Sequence, residues 1–372
     1  MNATTKMQNR MTQPTTPADQ AQQAEALVER LFGDLLGVIT TYGVYIGDRL
    51  GLYRALSEGG RATPADLASR AGIAERYARE WLEQRAADGI LSLVSDSPDP
   101  ARRSFELPHV HAEVLTDDTS LNYFAPFMRL LIAGGNQMPA ILDAYCDGTG
   151  VNWADYGDDM RESQGDANKP LFLNQLGEYI AQLPQVHERL QQPGARVADI
   201  GTGFGWSAIG VAEAYPNAIV DSYDLDAPAM DRATEHARER GVGDRVTFHA
   251  RDAAEAEGSY DLVLAFECIH DMPQPVGVLA TMRQLAGDNG TVIVMDENVA
   301  EQFEAPANEV DRLFYGYSLL VCLPDGMSHQ PSVGTGTVMR PATLRGYAQE
   351  AGFADIEILP LENDFFRFYR LA

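Results

Sequence analysis

Hydrophobic residues recur at two different spacings along the chain. In residues 24–50 they return every three or four positions, which predicts one long amphipathic helix. After residue 196, short apolar runs alternate with segments of helical periodicity, and this order predicts a parallel sheet with helices on both faces. The predicted strands are Val197–Ile200, Ile219–Asp224, Val246–Ala250, Leu262–Phe266, Thr291–Met295, Ile356–Leu361 and Phe365–Leu371.

Only the short turn Glu362-Asn363-Asp364 separates the last two predicted strands. A turn of this length joins antiparallel neighbours, whereas a parallel pair needs a long crossover. The expected fold class is therefore α/β, with a Rossmann-like sheet whose C-terminal strand runs antiparallel to the others. A dinucleotide-binding fold would keep that strand parallel.

The N-terminal part is predicted to be helices followed by a strand, a turn and a second strand. Thr63-Pro64-Ala65-Asp66 supplies an N-cap, a proline for the first turn and an acid near the positive end of the helix dipole, so a helix begins there. Another helix is predicted over 75–88, and two strands over 90–94 and 104–107. This order predicts a mostly helical winged-helix domain.

Charge bears on what this winged helix contacts. The helix over 75–88 sets Arg76, Arg79 and Arg85 against four acids, so it offers no net positive face to phosphates. The whole chain carries a formal net charge of −26 at pH 7, which repels nucleic acid and anionic lipid. We therefore expect no nucleic-acid or membrane partner, and a homodimer formed through the helix over 24–50. A ligand-sensing winged-helix regulator stays open as an alternative.

The segments outside these two regions carry further expectations. Residues 1–23 are polar and lack an apolar signal core, so they are expected to be a disordered tail. The three cysteines are far apart and show no C-x-x-C spacing, which fits a reducing cytoplasm and no zinc site. Residues 117–190 form a helical, aromatic-rich connector, and the polar run 156–169 can close over a bound cofactor. The candidate substrate residues are Tyr156, Gln164, Phe314, Tyr317 and His329.

The region from Arg196 to Gly205 combines a buried strand with a turn of the form G-x-G-x-G. Glycines let a backbone approach a ligand closely, and free N–H groups at the start of the following helix point at it. The last glycine falls one residue short of the dinucleotide pattern G-x-G-x-x-G, and Asp199 lies two residues before the first glycine. This form resembles the first motif of class I S-adenosylmethionine (SAM) methyltransferases.

Acids at the ends of the next two strands suit a nucleoside. Asp224 lies about twenty residues after the turn, where a carboxylate can accept hydrogen bonds from both ribose hydroxyls. An N-cap role is the alternative for Asp224, and Asp226 competes for the ribose. Asp252 can accept from an adenine amino group with Ala253 beside the ring, or it is a simple loop acid.

The fourth predicted strand of the sheet continues into Cys268-Ile269-His270-Asp271. Counted from Asp261, this His-Asp pair resembles that of small-molecule O-methyltransferases that join a winged-helix dimerisation domain to a class I SAM domain. In that family the histidine is the general base, and neutral imidazole suits this role near neutral pH. The alternative is a histidine that shapes the pocket or bonds to Asp271.

The resemblance implies SAM as cofactor and S-adenosylhomocysteine (SAH) as product. It makes His270 the base and Asp296 the acid that orients it. The family's second glutamate has no match near 334–341. Glu297-Asn298 with Glu267 also resembles the ligand set of metal-dependent catechol-type methyltransferases, but we expect no metal. The residues expected to bind the cofactor are Asp199, Gly201, Thr202, Gly203, Gly205, Asp224, Leu225, Asp252, Ala253, Phe266 and Glu267.

Taken together, the sequence predicts a tail (1–23), a winged-helix dimerisation domain (24–116), a connector and substrate cap (117–190) and a SAM-binding methyltransferase domain (191–372). Order and insertion also resemble bacterial winged-helix methyltransferases of unassigned substrate. The expected activity is methyl transfer to an oxygen, before nitrogen or carbon, of a small, aromatic or hydroxylated molecule. An enzyme of this fold that uses SAM for other chemistry is a further alternative.

Overall fold

The structure is a computed structural model that describes residues 16–372. Its N-terminal half is helical apart from one small two-stranded sheet. β1 and β2 pair antiparallel, as expected of a wing, and Ala62 bridges to Phe105 of β2. The elements are α1 (Pro17–Arg49), α2 (Leu52–Gly59), α3 (Pro64–Ala71), α4 (Glu75–Ala87), β1 (Ser92–Ser95), β2 (Ser104–Glu106), α5 (His109–Thr116), α6 (Ala125–Asn136) and α7 (Met138–Asp147).

Helix α1 begins earlier than the sequence pattern indicated. Thr16 caps it, since its side chain accepts from the backbone N–H of Asp19, whose carboxylate accepts from the backbone N–H of Thr16. The predicted disordered tail is therefore wrong for residues 17–23, and residues 1–15 lie outside the described part of the chain. Residues 16–39 are exposed on every side of the helix, including Leu31 and Leu35 at 53% and 54%.

The connector and the C-terminal half contain the remaining helices and the large sheet. Trp153–Tyr156 is a 3-10 turn before α8, and Ser318–Cys322 is a π-helical turn between α14 and α15. The elements are α8 (Gly157–Asn174), α9 (Leu176–Ala181), α10 (Pro184–Leu190), β3 (Arg196–Ile200), α11 (Trp206–Ala214), β4 (Ile219–Asp224), α12 (Ala227–Glu239), β5 (Val246–Ala250), β6 (Leu262–Phe266), α13 (Pro275–Ala286), β7 (Thr291–Glu297), α14 (Glu309–Tyr317), α15 (Leu323–Ser328), α16 (Pro341–Glu350), β8 (Ile356–Ile358) and β9 (Phe366–Leu371).

The large sheet has the strand order β5-β4-β3-β6-β7-β9-β8. Its first five strands are parallel, and β9 pairs antiparallel with both β7 and β8, which confirms the predicted fold class. Two hydrophobic cores cover its two faces. The chain order reverses between β3 and β6, and a ligand site is expected beyond the carboxyl ends of the strands at such a point.

Candidate active site

The turn between β3 and α11 lies at this switch point. Gly201, Gly203 and Gly205 have φ angles of 69°, 52° and 78°, a region that side chains rarely occupy. A Cβ on Gly201 would lie 2.7 Å from the sulfur of Cys268, whereas a Cβ on Gly203 would meet no atom within 4 Å. The turn therefore packs tightly against the loop after β6 on one side and is open on the other.

Asp199 braces the turn from within the protein. Its carboxylate accepts from the hydroxyls of Thr202 and Ser207, both at 2.6 Å, and it is 1% exposed. Burial raises its pKa to about 6. Asp199 and Thr202 thus fix the shape of the turn rather than face its open side.

Two acids, Asp224 and Asp226, lie at the end of β4. Asp224 is the one that lies against the glycine turn. Its Oδ2 accepts from the backbone N–H of Gly203 at 2.8 Å and its Oδ1 from that of Asp226 at 2.9 Å. The carboxylate of Asp226 is instead held by Arg161 Nε at 2.6 Å and by Trp153 Nε1 at 3.0 Å. Asp226 therefore ties the connector to the sheet.

The neighbouring predicted cofactor residues divide between the surface and the core. Leu225 is 70% exposed, and Asp252 is exposed and caps the short turn Ala253–Glu255 by accepting from Ala254 N–H. Phe266 is 7% exposed and stacks on Phe172, with 5.6 Å between ring centroids. Phe266 was expected at the cofactor but packs in the core, because strand residues alternate between faces.

Glu267, the residue directly after β6, has an unusual backbone conformation. Its φ of 51° is the only positive value at a non-glycine residue in the described part of the chain. Its Oε2 accepts from the side-chain amides of Gln164 and Asn168, at 3.1 and 3.4 Å. Its Oε1 is shielded from solvent and has no hydrogen-bond partner. Burial raises the pKa of Glu267 to about 7.

His270 is 2% exposed and both of its ring nitrogens face carboxylates. Nδ1 lies 3.0 Å from Asp296 Oδ1 and 3.1 Å from Glu297 Oε2, and Nε2 lies 3.1 Å from Asp271 Oδ1. Asp296 is completely buried, so the predicted pairing of His270 with Asp296 is present. The side chain of Asp271 is 28% exposed and is the most accessible of the three acids.

These acids control which groups carry protons. Burial opposes a charge on His270, but Asp271, Asp296 and Glu297 outweigh it and raise its pKa well above the ordinary value. Burial also raises the pKa of Glu297 well above its ordinary value, whereas His270 lowers that of Asp296 in spite of burial. The cluster therefore favours the protonated forms of His270 and Glu297 and the ionised form of Asp296.

Two sets of ligand-type atoms meet at His270, each with all atoms within 4.8 Å of one another. One set contains Asp271 and Cys322, and the other contains Asp296 and Glu297. Neither contains Glu267, which the metal-dependent alternative requires. The side chain of Asn298 donates to the carbonyl of Asn363 in the C-terminal hairpin instead.

Helix α8 lies over the glycine turn, as the polar run 156–169 led us to expect. A Cβ on Gly165 would lie 2.3 Å from the ring of Phe204, so the absent side chain lets the turn approach the helix. The Lys169 ammonium lies 5.0 Å from the ring centroid of Trp206, the first residue of α11. Gln164 and Asn168 project from the same helix toward Glu267.

The five candidate substrate residues do not form one cluster. Tyr156 is buried and donates to the carbonyl of Leu320, and Tyr317 donates to that of Phe127. Phe314 is 8% exposed. His329 is exposed at the end of α15, and its Nε2 lies 2.8 Å from Asn152 Nδ2.

The insertion over 308–341, between β7 and α16, is helical from 309 to 328. Residues 323–328 are the helix α15, which follows directly on the π-helical turn. The helix packs closely on two neighbours, since a Cβ on Gly150 would lie 2.1 Å from the carbonyl oxygen of Pro324 and one on Gly326 would lie 2.9 Å from that of Asp271. The insertion therefore covers the His270 loop with an ordered helix.

The sequence analysis did not identify three residues that lie at the site, namely Glu297, Cys322 and Asp325. Glu297 was considered only as a metal ligand, although it reaches Nδ1 of His270. Cys322 and Asp325 lie in the insertion, far along the chain from His270. Asp325 accepts from the backbone N–H of Trp153 at 2.8 Å, and burial raises its pKa to about 7. No spacing in the sequence relates the insertion to the loop after β6.

Two parts of the chain match known domain families. Residues 191–325 match the family described as "Methyltransferase domain", and residues 38–117 match the "Rv2258c-like winged HTH domain". The chain is 29% identical over 147 residues to the 27-O-demethylrifamycin SV methyltransferase of Amycolatopsis mediterranei. That match includes 38% of this chain and 54% of the relative, so this chain spans about half the length of that protein.

Solved structures show the same fold over nearly the whole chain. The mitomycin 7-O-methyltransferase MmcR superposes with a TM-score of 0.68 at 20% identity, over 94% of this chain and 99% of that one. Human N-acetylserotonin methyltransferase in complex with SAM gives a TM-score of 0.67 at 16% identity, over 97% and 99%. At these identities the likeness concerns the fold.

Proposed function

We propose that this chain, which joins a SAM-dependent methyltransferase domain to an N-terminal winged-helix domain, transfers a methyl group to an oxygen of a small molecule. The observation that supports oxygen as the acceptor is the buried pair of His270 and Asp296 beside the glycine turn. A hydroxyl must lose its proton as it attacks the methyl carbon, and a proton-accepting group nearby makes this possible.

The residues around the turn fit SAM. The open side of Gly203 leaves room for a ligand, and Asp224 lies beside it at the end of β4, where such folds place the acid that binds the ribose hydroxyls. Exposed Leu225 and the pair Asp252–Ala253 lie at the ends of the next two strands, where the adenine ring belongs. When bound, SAM supplies an electrophilic methyl group on a sulfonium.

His270 would accept the proton of the hydroxyl through Nε2, while Asp296 holds Nδ1. Nε2 faces Asp271, whose side chain is the most exposed of the three acids around the ring. Because the surrounding carboxylates raise the pKa of His270, the ring becomes a base only as the pH rises above the ordinary histidine range. Turnover through His270 should therefore increase on the alkaline side of neutrality.

The acceptor is proposed to be a small, aromatic or hydroxylated molecule. Tyr156 of the connector and Tyr317 of the insertion pack in one apolar cluster that includes Cys322, and Cys322 lies at His270. An apolar site of this kind excludes water and positions a flat acceptor for in-line attack.

The proposed assembly is a homodimer in which α1 packs against the partner. Its N-terminal two thirds expose a series of leucine, valine and phenylalanine side chains. Exposing this much apolar surface on a single helix in water is unfavourable. In α4, Arg76 pairs with Glu80 and Arg85 with Asp88, which leaves these arginines committed to acids rather than to phosphate. No helix among residues 16–372 is long and apolar enough to cross a membrane.

The test combines binding with turnover. Calorimetry with SAM and with SAH measures the cofactor site, and incubation with SAM and a panel of phenols, followed by mass spectrometry, detects SAH and a product heavier by one methyl group. We expect binding and at least one methylated phenol. No SAM binding would contradict the proposal, and binding of SAM together with sequence-specific DNA but no turnover would favour a regulator.

A further inference from the structure

The carboxyl group of Glu267, which the sequence placed among the cofactor-binding residues, has no role in the proposed chemistry so far. It lies between the two elements that enclose the cleft. Its neighbour Cys268 packs on Gly201 of the glycine turn, and its own Oε2 is held by Gln164 and Asn168 of α8. The side chain is thus fixed between the loop after β6 and α8, with one oxygen bonded and one oxygen left over.

The backbone at this position is strained. A φ of 51° is unfavourable for a non-glycine residue, and such strain persists at sites where the surrounding structure enforces it. The N–H of Glu267 still donates to the carbonyl of Met295 in β7, so the strand ladder is intact up to this residue. The left-handed turn therefore redirects the chain at the carboxyl end of β6 and sets the direction of this one side chain.

The free oxygen of Glu267 is the second unusual feature. Oε1 is shielded from solvent and lacks a partner among residues 16–372, and an unpaired buried polar atom is unfavourable. Oε2, in contrast, has two amide donors that fix the plane of the carboxyl group. An oriented carboxyl oxygen without a partner is suited to meet a donor that arrives with a ligand.

We propose that Glu267 is a second base of the site, which accepts the proton of the acceptor hydroxyl at Oε1 during methyl transfer in the pH range in which His270 does not. This inference rests on the proposed function. As the O–H bond breaks, the proton goes to Glu267, the oxygen forms a bond to the methyl carbon, and the electron pair of the C–S bond goes to sulfur. The neutral carboxylic acid later releases its proton to water.

Protonation equilibria support the same residue. The groups that face Glu267 are His270 on its own loop, Asp296 on β7 and the neutral amides of α8. Burial and Asp296 raise its pKa, while Asn168, His270 and Gln164 oppose them, and the value is about 7. A base of this pKa works at neutral pH, whereas the carboxylates around His270 raise its pKa and favour its protonated form.

The two bases predict two separate rises of turnover with pH. The lower rise, near the pKa of Glu267, should vanish in Glu267→Gln, with a loss of about 100-fold or more in kcat at neutral pH. The upper rise belongs to His270 and should remain. Asn168→Ala removes a donor that stabilises the ionised carboxyl, so the lower rise should move to higher pH. Glu357→Gln, an exposed glutamate on β8, is the matched control and should change neither rise.

Two measurements that need no acceptor complete the test. Difference infrared spectra of wild type and Glu267→Gln should show one carboxyl group that titrates near neutrality and is lost in the variant. Calorimetry should show SAH affinity changed by less than about threefold, because the carboxyl group acts on the acceptor. Thermal unfolding confirms that each variant is folded.

The inference is overturned if folded Glu267→Gln keeps wild-type turnover at neutral pH, or if no such carboxyl titrates. It is also overturned if the variant loses SAH affinity with kcat unchanged, since Glu267 would then hold the cofactor. A wild-type protein that binds SAM, methylates no phenol and shows the titrating carboxyl would instead contradict the proposed O-methylation. Loss of turnover in His270→Gln alone, with Glu267→Gln active, would leave His270 as the only base.

Discussion

At the scale of single residues, the site is governed by carboxyl groups that burial has made easier to protonate. Glu267 and Asp325 both have pKa values raised to about 7, and Glu297 is raised further. The basic groups among these acids are His270, whose pKa is also raised, and the guanidinium of Arg161. The protonation state of this cleft therefore changes within the range of pH in which enzymes are ordinarily assayed.

Asp271 gives a direct way to move the pKa of His270. Asp271→Asn removes one of the carboxylates that raise it, so we expect the pKa of the ring to fall. The upper rise of turnover should then shift to lower pH, and a nitrogen-15 NMR titration of the histidine rings should show the same shift. Asp288→Asn, an exposed acid in the turn before β7, serves as control. An unchanged His270 titration would contradict the electrostatic origin of the raised pKa.

Asp224 should carry much of the affinity for the cofactor. Hydrogen bonds to a charged group contribute about 1.5–3 kcal/mol, so Asp224→Asn should weaken SAH binding by roughly 10- to 100-fold. The amide can still accept from the N–H of Gly203, so the turn should stay folded. Calorimetry measures the effect, with Asp231→Asn on the exposed face of α12 as control. If Asp226→Asn weakened SAH binding by this factor and Asp224→Asn left it unchanged, Asp226 would be the residue that binds the ribose.

At the scale of elements, α8 has two working faces. One face meets α1 and α6: Arg49 pairs with Asp159 at 2.8 Å, and Arg129 lies 3.0 Å from Asp48. Arg129 also pairs with Asp166 of α8 at 2.5 Å. The other face holds Glu267 and covers the glycine turn. A displacement of α8 therefore changes the cleft, even when it starts at the N-terminal domain.

Gly165 tests the contact between α8 and the turn. Gly165→Ala places a Cβ 2.3 Å from the ring of Phe204, and overpacking of this kind costs about 1–3 kcal/mol. We expect weaker SAH binding, because the turn must move, and a lower melting temperature. Gly346→Ala in α16 meets no atom within 4 Å and should raise stability by up to about 1 kcal/mol through helix propensity. Equal SAH affinity in both variants would exclude a link between α8 and the turn.

The elements differ in how far the sequence foretold them. Leu262–Phe266 is a strand with the predicted bounds because a buried parallel strand appears as a continuous apolar run. Ile219–Asp224 and Val246–Ala250 also have the predicted bounds, although both contain polar residues. The start of α1 was missed although Thr16-Pro17-Ala18-Asp19 repeats the capping sequence of Thr63-Pro64-Ala65-Asp66. The polar composition of residues 17–23 hid that signal.

The site was foretold where it follows the strand ends and missed where it depends on tertiary packing. The positions of Asp224, His270 and Asp296 follow from the ends of β4, β6 and β7, which a parallel sheet brings to one edge. The strain at Glu267 is a property of the backbone that no residue type announces. The contact of the insertion with the His270 loop depends on long-range packing, which local patterns do not encode.

At the scale of the whole molecule, α1 is the element that a single chain leaves largely exposed to solvent. The helix has 33 residues and is therefore about 50 Å long, and its first two thirds lie exposed on every side. Its C-terminal third is anchored, as Tyr45 donates to Asp159 and Arg49 pairs with Glu162 at 2.7 Å. The exposed part is thus an arm that the proposed homodimer would cover.

Leu35 lies in the middle of this arm and tests the dimer. Leu35→Glu places a charge on the apolar stripe, so we expect a shift from dimer to monomer in light scattering after size-exclusion chromatography. Gln23→Glu adds the same charge at a polar position of the same helix and should leave the dimer intact. A wild-type protein that runs as a monomer at all concentrations would contradict the proposed interface.

Because of this exposed arm, specific activity should depend on the protein concentration. If a partner covers the arm, each tenfold dilution removes about 1.4 kcal/mol of the free energy that favours the dimer. The anchored end of α1 holds α8, and α8 holds Glu267. Dilution should therefore lower turnover per molecule as well as the melting temperature, and both should recover when the protein is concentrated again.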